Sequence, residues 1–407
     1  MIEIINGGCV TSPRGFLAGA TFAGLKSPGP GKLDLGILCA QVPCAAAGVF
    51  TTNLLKAAPV QLCESRLAQS AQLQAVIINS GIANAGTGQQ GLDIAEQMAA
   101  LAARRLGIPA SLVAVASTGK IGWQIPMDKI SAAVPNIAVK QNGGHDVARA
   151  IMTTDTRAKE IAVRVPLQAS AAGTEITVAG MCKGAGMIHP QMATMLAFVT
   201  TDAAVDPAFL KLSLRKAADR TFNMVSIDGD MSTNDTLIVL ASGLAGNAPI
   251  RQGTAAARRF QEGLDAVCTH LAREIARDGE GATRLVEITV RGAAKVSDAR
   301  LAARAIASSN LTKCAIHGAD PNWGRIAAAA GRSGALMDQT RLDVSVGGVM
   351  LMLNGTPLAF DANAAHAALS GDCVAVVVDF HLGLAEATAW GCDMSEEYVT
   401  FNSEYTT

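Results

Sequence analysis

Residues 183–203 read KGAGMIHPQMATMLAFVTTDA: a glycine-rich, uncharged loop runs through His189-Pro190 to Ala193-Thr194, and a β-prone run, 195–200, follows at once. A threonine heading a buried strand behind a Gly/Pro-rich loop has the arrangement of a self-cleaving N-terminal nucleophile. Its hydroxyl can attack the preceding carbonyl, move the acyl group from nitrogen to oxygen, and leave an ester that water opens. The freed α-amine, with an unperturbed pKa near ~8, then serves that hydroxyl as a local base. The same residues also fit a plainer description, a β-branched residue placed before a strand for its propensity. Read by residue type alone, Ser117-Thr118-Gly119 is a strand-ending turn, Lys183 a solvated loop cation and Glu280 a turn carboxylate. His189 reads as a structural residue of its loop, and Asn402 and Thr407 as a fraying tail.

Other chemistries lack their signatures. No G-x-G-x-x-G opens a helix after a strand, and Gly31-Lys32 has neither the glycine five residues earlier nor the following Ser/Thr of a phosphate loop. Neither H-E-x-x-H nor G-x-S-x-G occurs. Residues 226–236 (SIDGDMSTNDT) are rich in side-chain oxygens but lack calcium-loop spacing, and read as a turn-rich loop. The nine cysteines form no CxxC pair, which points to reduced, mostly buried thiols and not to a disulfide framework or zinc ribbon. No metal or cofactor is expected.

The elements that must position this chemistry alternate between strand-like and helix-like patterns. Strands are expected at 73–79, 112–117, 161–165, 175–178, 236–241, 284–290, 342–346, 349–353 and 374–379. Helices are expected at 91–106, with Asp93 as N-cap and Gly107 as the stop, and at 127–134, 145–152, 207–220, 255–277 and 297–308. The class is α/β (α+β), without the regularity of a doubly wound sheet. No 20–50-residue period appears. The loop before Arg284 is the candidate boundary between a core, 1–283, and a smaller C-terminal α/β domain, 284–407.

Composition bounds the partners. Of 407 residues, 33 are Lys or Arg and 34 Asp or Glu, so the net charge of −1 offers no basic stripe for nucleic acid. Apolar residues make up 50% and charged ones 16%, enough to build a core and exclude disorder. Two stretches, 35–55 and 184–201, carry no charge, yet their Gln, Asn, Pro, His and Thr content argues against membrane spans. The N-terminus lacks the pattern of a signal peptide, so a cytoplasmic location is expected.

Several blocks of the chain closely resemble the ornithine acetyltransferase (glutamate N-acetyltransferase) family of arginine biosynthesis. Besides 183–203 they are 116–122 (ASTGKIG), 152–156 (MTTDT), 279–283 (GEGAT), 318–328 (GADPNWGRIAA) and 390–407 (WGCDMSEEYVTFNSEYTT). They stand in the family's order and span essentially the whole chain. The resemblance implies a self-processing Thr-nucleophile sandwich of sheets and helices. Cleavage between Ala193 and Thr194 would give chains of 193 and 407 − 193 = 214 residues in an α₂β₂ assembly. Thr194 would take the acetyl group of N2-acetyl-L-ornithine and pass it to L-glutamate, a ping-pong reaction without cofactor, with acetyl-CoA as a further donor in bifunctional members.

The resemblance also assigns residues. Thr118 and Gly119 would form the oxyanion hole, where losing one donor costs about 3–4 kcal/mol of barrier. Thr153, Lys183, Thr194, Glu280, Asn402 and Thr407 would bind substrate, with the tail folded back onto the nucleophile. Lys120 departs from the family by adding a cation beside the proposed oxyanion donors. The alternatives are a self-processing aminopeptidase or amidase with water as acceptor, and an uncleaved binding protein. Intact Thr194, Thr118, Lys183 and Glu280 argue against the latter.

Overall fold

Along 196–201 every residue is buried, and successive side chains enter different cores: Leu196 and Phe198 one, Ala197 and Val199 another. A strand apolar on both faces must be covered on both, which makes this the centre of a layered molecule. The computed structural model describes residues 1–167, 174–189 and 195–404.

In chain order the strands begin with β1 (Glu3–Ile4), β2 (Phe16–Thr21), β3 (Leu35–Phe50), β4 (Gln72–Ile82) and β5 (Val113–Lys120). There follow β6 (Lys159–Pro166), β7 (Glu175–Lys183), β8 (Leu196–Thr201), the short β9 (Val225–Ser226), and β10 (Thr236–Ala241). All but β9 form one sheet in the order β1-β6-β7-β8-β10-β3-β4-β5, with β2 also on β3. β8 runs parallel to β10, and β4 parallel to β5. The long β3 pairs with β2 and β4 along its first half and with β10 along its second. Its register against β4 shifts between Cys39 and Cys44, where Pro43, lacking an N–H, is tolerated.

One face of this sheet carries a continuous core, from Met181 through Phe198, Leu240 and Leu38 to Ile78 and Ala116. The other face is divided: helices Gly88–Leu106 and Met127–Ala133 cover the first half of β3 with β4 and β5, while Pro207–Arg220 packs on the second half of β3 and Ala255–Arg277 on β6 and β7. The second sheet is built from β11 (Leu285–Ala293), β12 (Asp343–Val346), β13 (Val349–Leu353), β14 (Thr356–Pro357), β15 (Cys373–Asp379) and β16 (Ala385–Cys392). Its order is β14-β13-β12-β15-β11-β16-β9. Helix Ala255–Arg277 lies against both sheets, touching β6 and β7 as well as β11 and β16. Phe260, Leu264, Val267, Leu271 and Ile275 recur at helical spacing and are all buried. Each contributes about 1.5–3 kcal/mol by leaving water. β9, from before residue 283, thus shares a sheet with β11, and one hydrophobic core runs through both.

The α/β class is realised as two mixed sheets with packed helices. The helices expected at 207–220 and 255–277 and the strands at 236–241 and 349–353 have those bounds. The helix expected from 91 starts a turn earlier, at Gly88, and Asp93 is an interior residue hydrogen-bonded by Gln89 (2.9 Å) and not its cap. Gly107 ends that helix with φ +69°. Uncharged 35–55 holds strand β3, and no described helix is long and apolar enough to cross a membrane. All nine cysteines are free, and seven are buried.

Candidate active site

The site begins where β4 and β5 end side by side, Ser80 opposite Thr118 and Gly81 opposite Gly119. Ser117 Oγ donates to Asn79 Oδ1 (2.6 Å), and Asn79 Nδ2 donates to the Ile82 carbonyl (2.9 Å), fixing both strand ends from inside. Gly119 has φ +125°, and a Cβ there would lie 2.2 Å from the Gly81 carbonyl carbon. Only glycine satisfies both conditions. The oxygen-rich loop 226–236 stitches onto the same place: Asn234 Nδ2 donates to the carbonyls of Ala83 (2.6 Å) and Ser117 (2.8 Å). Its Asp228 receives the Met187 and Ile188 amides (2.5 and 2.8 Å), so that carboxylate organises backbone.

A second arm comes from β7. Lys183 ends that strand and is buried, which corrects the reading of it as a solvated loop cation. Burial lowers its pKa against the attraction of Asp155 and Glu280. Beside it, Lys159 donates to Asp155 Oδ1 (2.7 Å) and to Asp278, all with side chains almost wholly out of water. Burial alone would raise the Asp155 carboxyl, but the Lys183 and Lys159 cations and the Gly184 amide hold it down to about 2. Asp155 receives the amides of Gly184 (2.7 Å) and Thr153 (2.9 Å), so one carboxylate sets the positions of both the Lys183 strand end and Thr153. Asp278 receives the Thr156 amide (3.1 Å), which closes the 152–156 turn onto the end of the long helix.

The third arm is the segment 279–283 with the C-terminal helix Glu396–Glu404. The Glu280 amide donates to the Ala185 carbonyl (2.8 Å). Its carboxylate lies over Gly186, where a Cβ would meet Oε2 at 2.3 Å. Asn402 Nδ2 donates to Glu280 Oε2 (2.9 Å), so the tail does return to this loop as far as residue 402.

The three arms border a cleft that is open to solvent. Thr118, Gly119, Thr153, Lys183, Glu280 and Asn402 all line it, joined by Ile121, Thr154, Gly186, Met187 and 232–234. A buried ammonium and a carboxylate facing one cleft can hold the two charged ends of an amino acid, with hydroxyl and amide donors between them. Ala193, Thr194 and Thr407 lie outside the described residues, but Met195, next after Thr194, immediately precedes β8, and its amide donates to Asp235 Oδ1 (3.0 Å). Lys120 does not line the cleft; its ammonium sits over the Trp123 ring, 4.9 Å from the centroid. His189 faces Ser226 Oγ (3.3 Å) and is not among the lining residues.

The ArgJ family model matches residues 17–407. The arginine biosynthesis bifunctional protein ArgJ of Symbiobacterium thermophilum is 53% identical over 408 residues, covering 100% of both chains. The protein of the same name from Dehalococcoides mccartyi is 49% identical over 100% of this chain and 99% of its own. The chain belongs to the ArgJ family. A crystal structure of ArgJ from Bacillus halodurans is 42% identical with a TM-score of 0.50, and covers 51% of this chain and 98% of that one.

For an ArgJ-family chain, residue type alone left several supporting groups unnoticed. Asp155 stands inside the MTTDT block, so its presence was visible but its salt-bridged role was not. Lys159 and Asp278 lie 119 positions apart, and Asn234 and Ser117 117 apart. No local signal links either pair.

Proposed function

We propose that this chain moves acetyl from N2-acetyl-L-ornithine to L-glutamate through an acetyl-Thr194 intermediate, after cleaving itself between Ala193 and Thr194. The observation that supports this is the cleft, where Thr118 and Gly119 converge with Thr153, Lys183, Glu280 and Asn402. The relatives' name, arginine biosynthesis bifunctional protein, supports an acyltransferase with two activities. The solved Bacillus chain aligns almost entirely yet covers 51% of this one, the proportion expected of one fragment of a cleaved precursor.

In the first stage Thr194 Oγ attacks the Ala193 carbonyl, the C–N bond breaks, and the departing nitrogen takes up a proton. Water then opens the ester, leaving chains of 193 and 214 residues that assemble as α₂β₂. In the second stage the new α-amine accepts the Oγ proton as the hydroxyl attacks the acetyl carbonyl. The oxyanion is met by the Thr118 hydroxyl and the Gly119 amide. The nitrogen of ornithine leaves protonated, and the glutamate amine attacks the acetyl ester. Lys183 holds the substrate α-carboxylate, and Glu280, oriented by Asn402, receives the ornithine ammonium; Thr153 and Thr407 complete the contacts. Acetyl-CoA serves as donor in the second activity, in a cytoplasmic enzyme.

Intact mass on purified protein tests the first stage. Two fragments beginning at Met1 and Thr194 are expected, and one uncleaved chain for Thr194→Ala. Wild type at full mass overturns the nucleophile assignment. Product analysis with and without glutamate tests the second. N-acetylglutamate identifies the transferase, and free acetate at the same rate in both identifies an amidase.

A further inference from the structure

Asp235 lies at the junction of loop 226–236 with β10, and it has no solvent exposure. Its Oδ1 accepts the Met195 amide (3.0 Å), and Met195 nitrogen is bonded to the carbonyl carbon of residue 194. Among the described residues, its other oxygen, Oδ2, is buried with no hydrogen-bond partner. Around it stand the Met195 backbone just before β8, Lys183 from β7, and the Thr51 hydroxyl just after β3. The Thr51 hydroxyl donates to the Ser232 carbonyl (2.7 Å) and accepts the Asn53 amide (3.1 Å). A carboxylate here would leave a charged oxygen unsatisfied in the core, a cost that the neutral acid lowers. Burial pushes the Asp235 carboxyl well above the usual range, against the Met195 amide, the Lys183 cation and the nearby Thr51 hydroxyl. No ion pair joins Asp235 to Lys183 among the described residues.

We infer that Asp235 is a positioning residue that works as a neutral acid: Oδ1 fixes the backbone that leads into β8, and Oδ2 keeps a proton. The group takes no part in bond making. It sets where the chain enters β8. The inference rests on the self-processing reading proposed above.

Three variants and one spectrum test it. Asp235→Asn keeps a carbonyl for the Met195 amide and puts no charge in the core, so self-cleavage and kcat should stay within about threefold of wild type. Asp235→Ala abandons the Met195 amide, and cleavage should slow about tenfold or more. Asp235→Glu, which keeps the acid but displaces it, should also be slow. Infrared difference spectra of wild type against Asp235→Asn at neutral pH should show a protonated-carboxyl C=O band in the wild type alone. A carboxylate band in its place overturns the inference, as does an Asn variant as slow as the Ala variant. The spectrum does not depend on processing, so an uncleaved wild type with the acid band sinks the nucleophile reading and leaves the protonation state of Asp235 established.

Discussion

Gly119→Ala puts the proposed oxyanion hole under direct test. The new Cβ would lie 2.2 Å from the Gly81 carbonyl carbon, 2.5 Å from its oxygen and 2.6 Å from the Ile82 nitrogen. Ordinary contact begins near 3.4 Å, and every neighbour is backbone, so the ends of β4 and β5 must separate by about 1 Å. The φ of +125° adds about 1–2 kcal/mol of strain for any side chain. A 1 Å displacement of a positioned donor costs about 100-fold in rate, and loss of the donor about 3–4 kcal/mol of barrier. We therefore expect kcat to fall about 10²–10³-fold, while KM for N-acetylornithine changes little because Lys183 and Glu280 are untouched. Formation of N-acetylglutamate, followed chromatographically over a substrate range, separates the two constants. Gly122→Ala is the control: its φ is +81° but nothing lies within 4 Å of the added carbon, so it carries strain without the clash. A folded Gly119→Ala protein with kcat within threefold of Gly122→Ala would refute the assignment of this strand end to carbonyl activation.

Two further outcomes follow from the network. Asp155 has a depressed pKa of about 2, so its contribution is present above the unfolded value near 4 and lost as pH falls toward 2. Wild type should lose roughly 2 kcal/mol of urea stability across that window through this group. Asp155→Asn should start lower, by about 3 kcal/mol for a broken buried pair, and lack that part of the slope; an unchanged slope would refute the linkage. Removal of 402–407 takes away the Asn402 bond to Glu280, and should raise KM about tenfold while self-cleavage proceeds normally. Unchanged kinetics would mean that the tail is no part of the site.

Much of the fold was legible locally because burial on one or both faces imposes a period. The helix Ala255–Arg277 and strand Thr236–Ala241 were read to the residue, since each packs one regular stripe or run into a core. Strand β3 was not: its 16 residues carry a bulge at Pro43 and change partners midway, which breaks any period. The helix after β4 was misplaced because Asp93 has the composition of a cap, while its actual partner, Gln89, lies within the same helix. The short helices Asn310–His317, Trp323–Gly331 and Ala362–Leu369 were also unassigned, their eight or nine residues being too few for a pattern.

By itself the sequence determined the chemistry on offer: the STG block, the KGAG loop before Thr194, Glu280, and Asn402 near the C-terminus, in a family's order. Residue types and short-range spacing survive in a linear string, and so does a resemblance carried by them. Only the tertiary structure decided that Thr118, Thr153, Lys183, Glu280 and Asn402 share one cleft, because their separation along the chain is closed by strand register and by buried pairs. It also changed what two of them are. Lys183 became a buried cation, and Asn402 the hydrogen-bond partner of Glu280. Burial and partnership set the charge state and orientation of a side chain, and both depend on neighbours that arrive from distant parts of the chain.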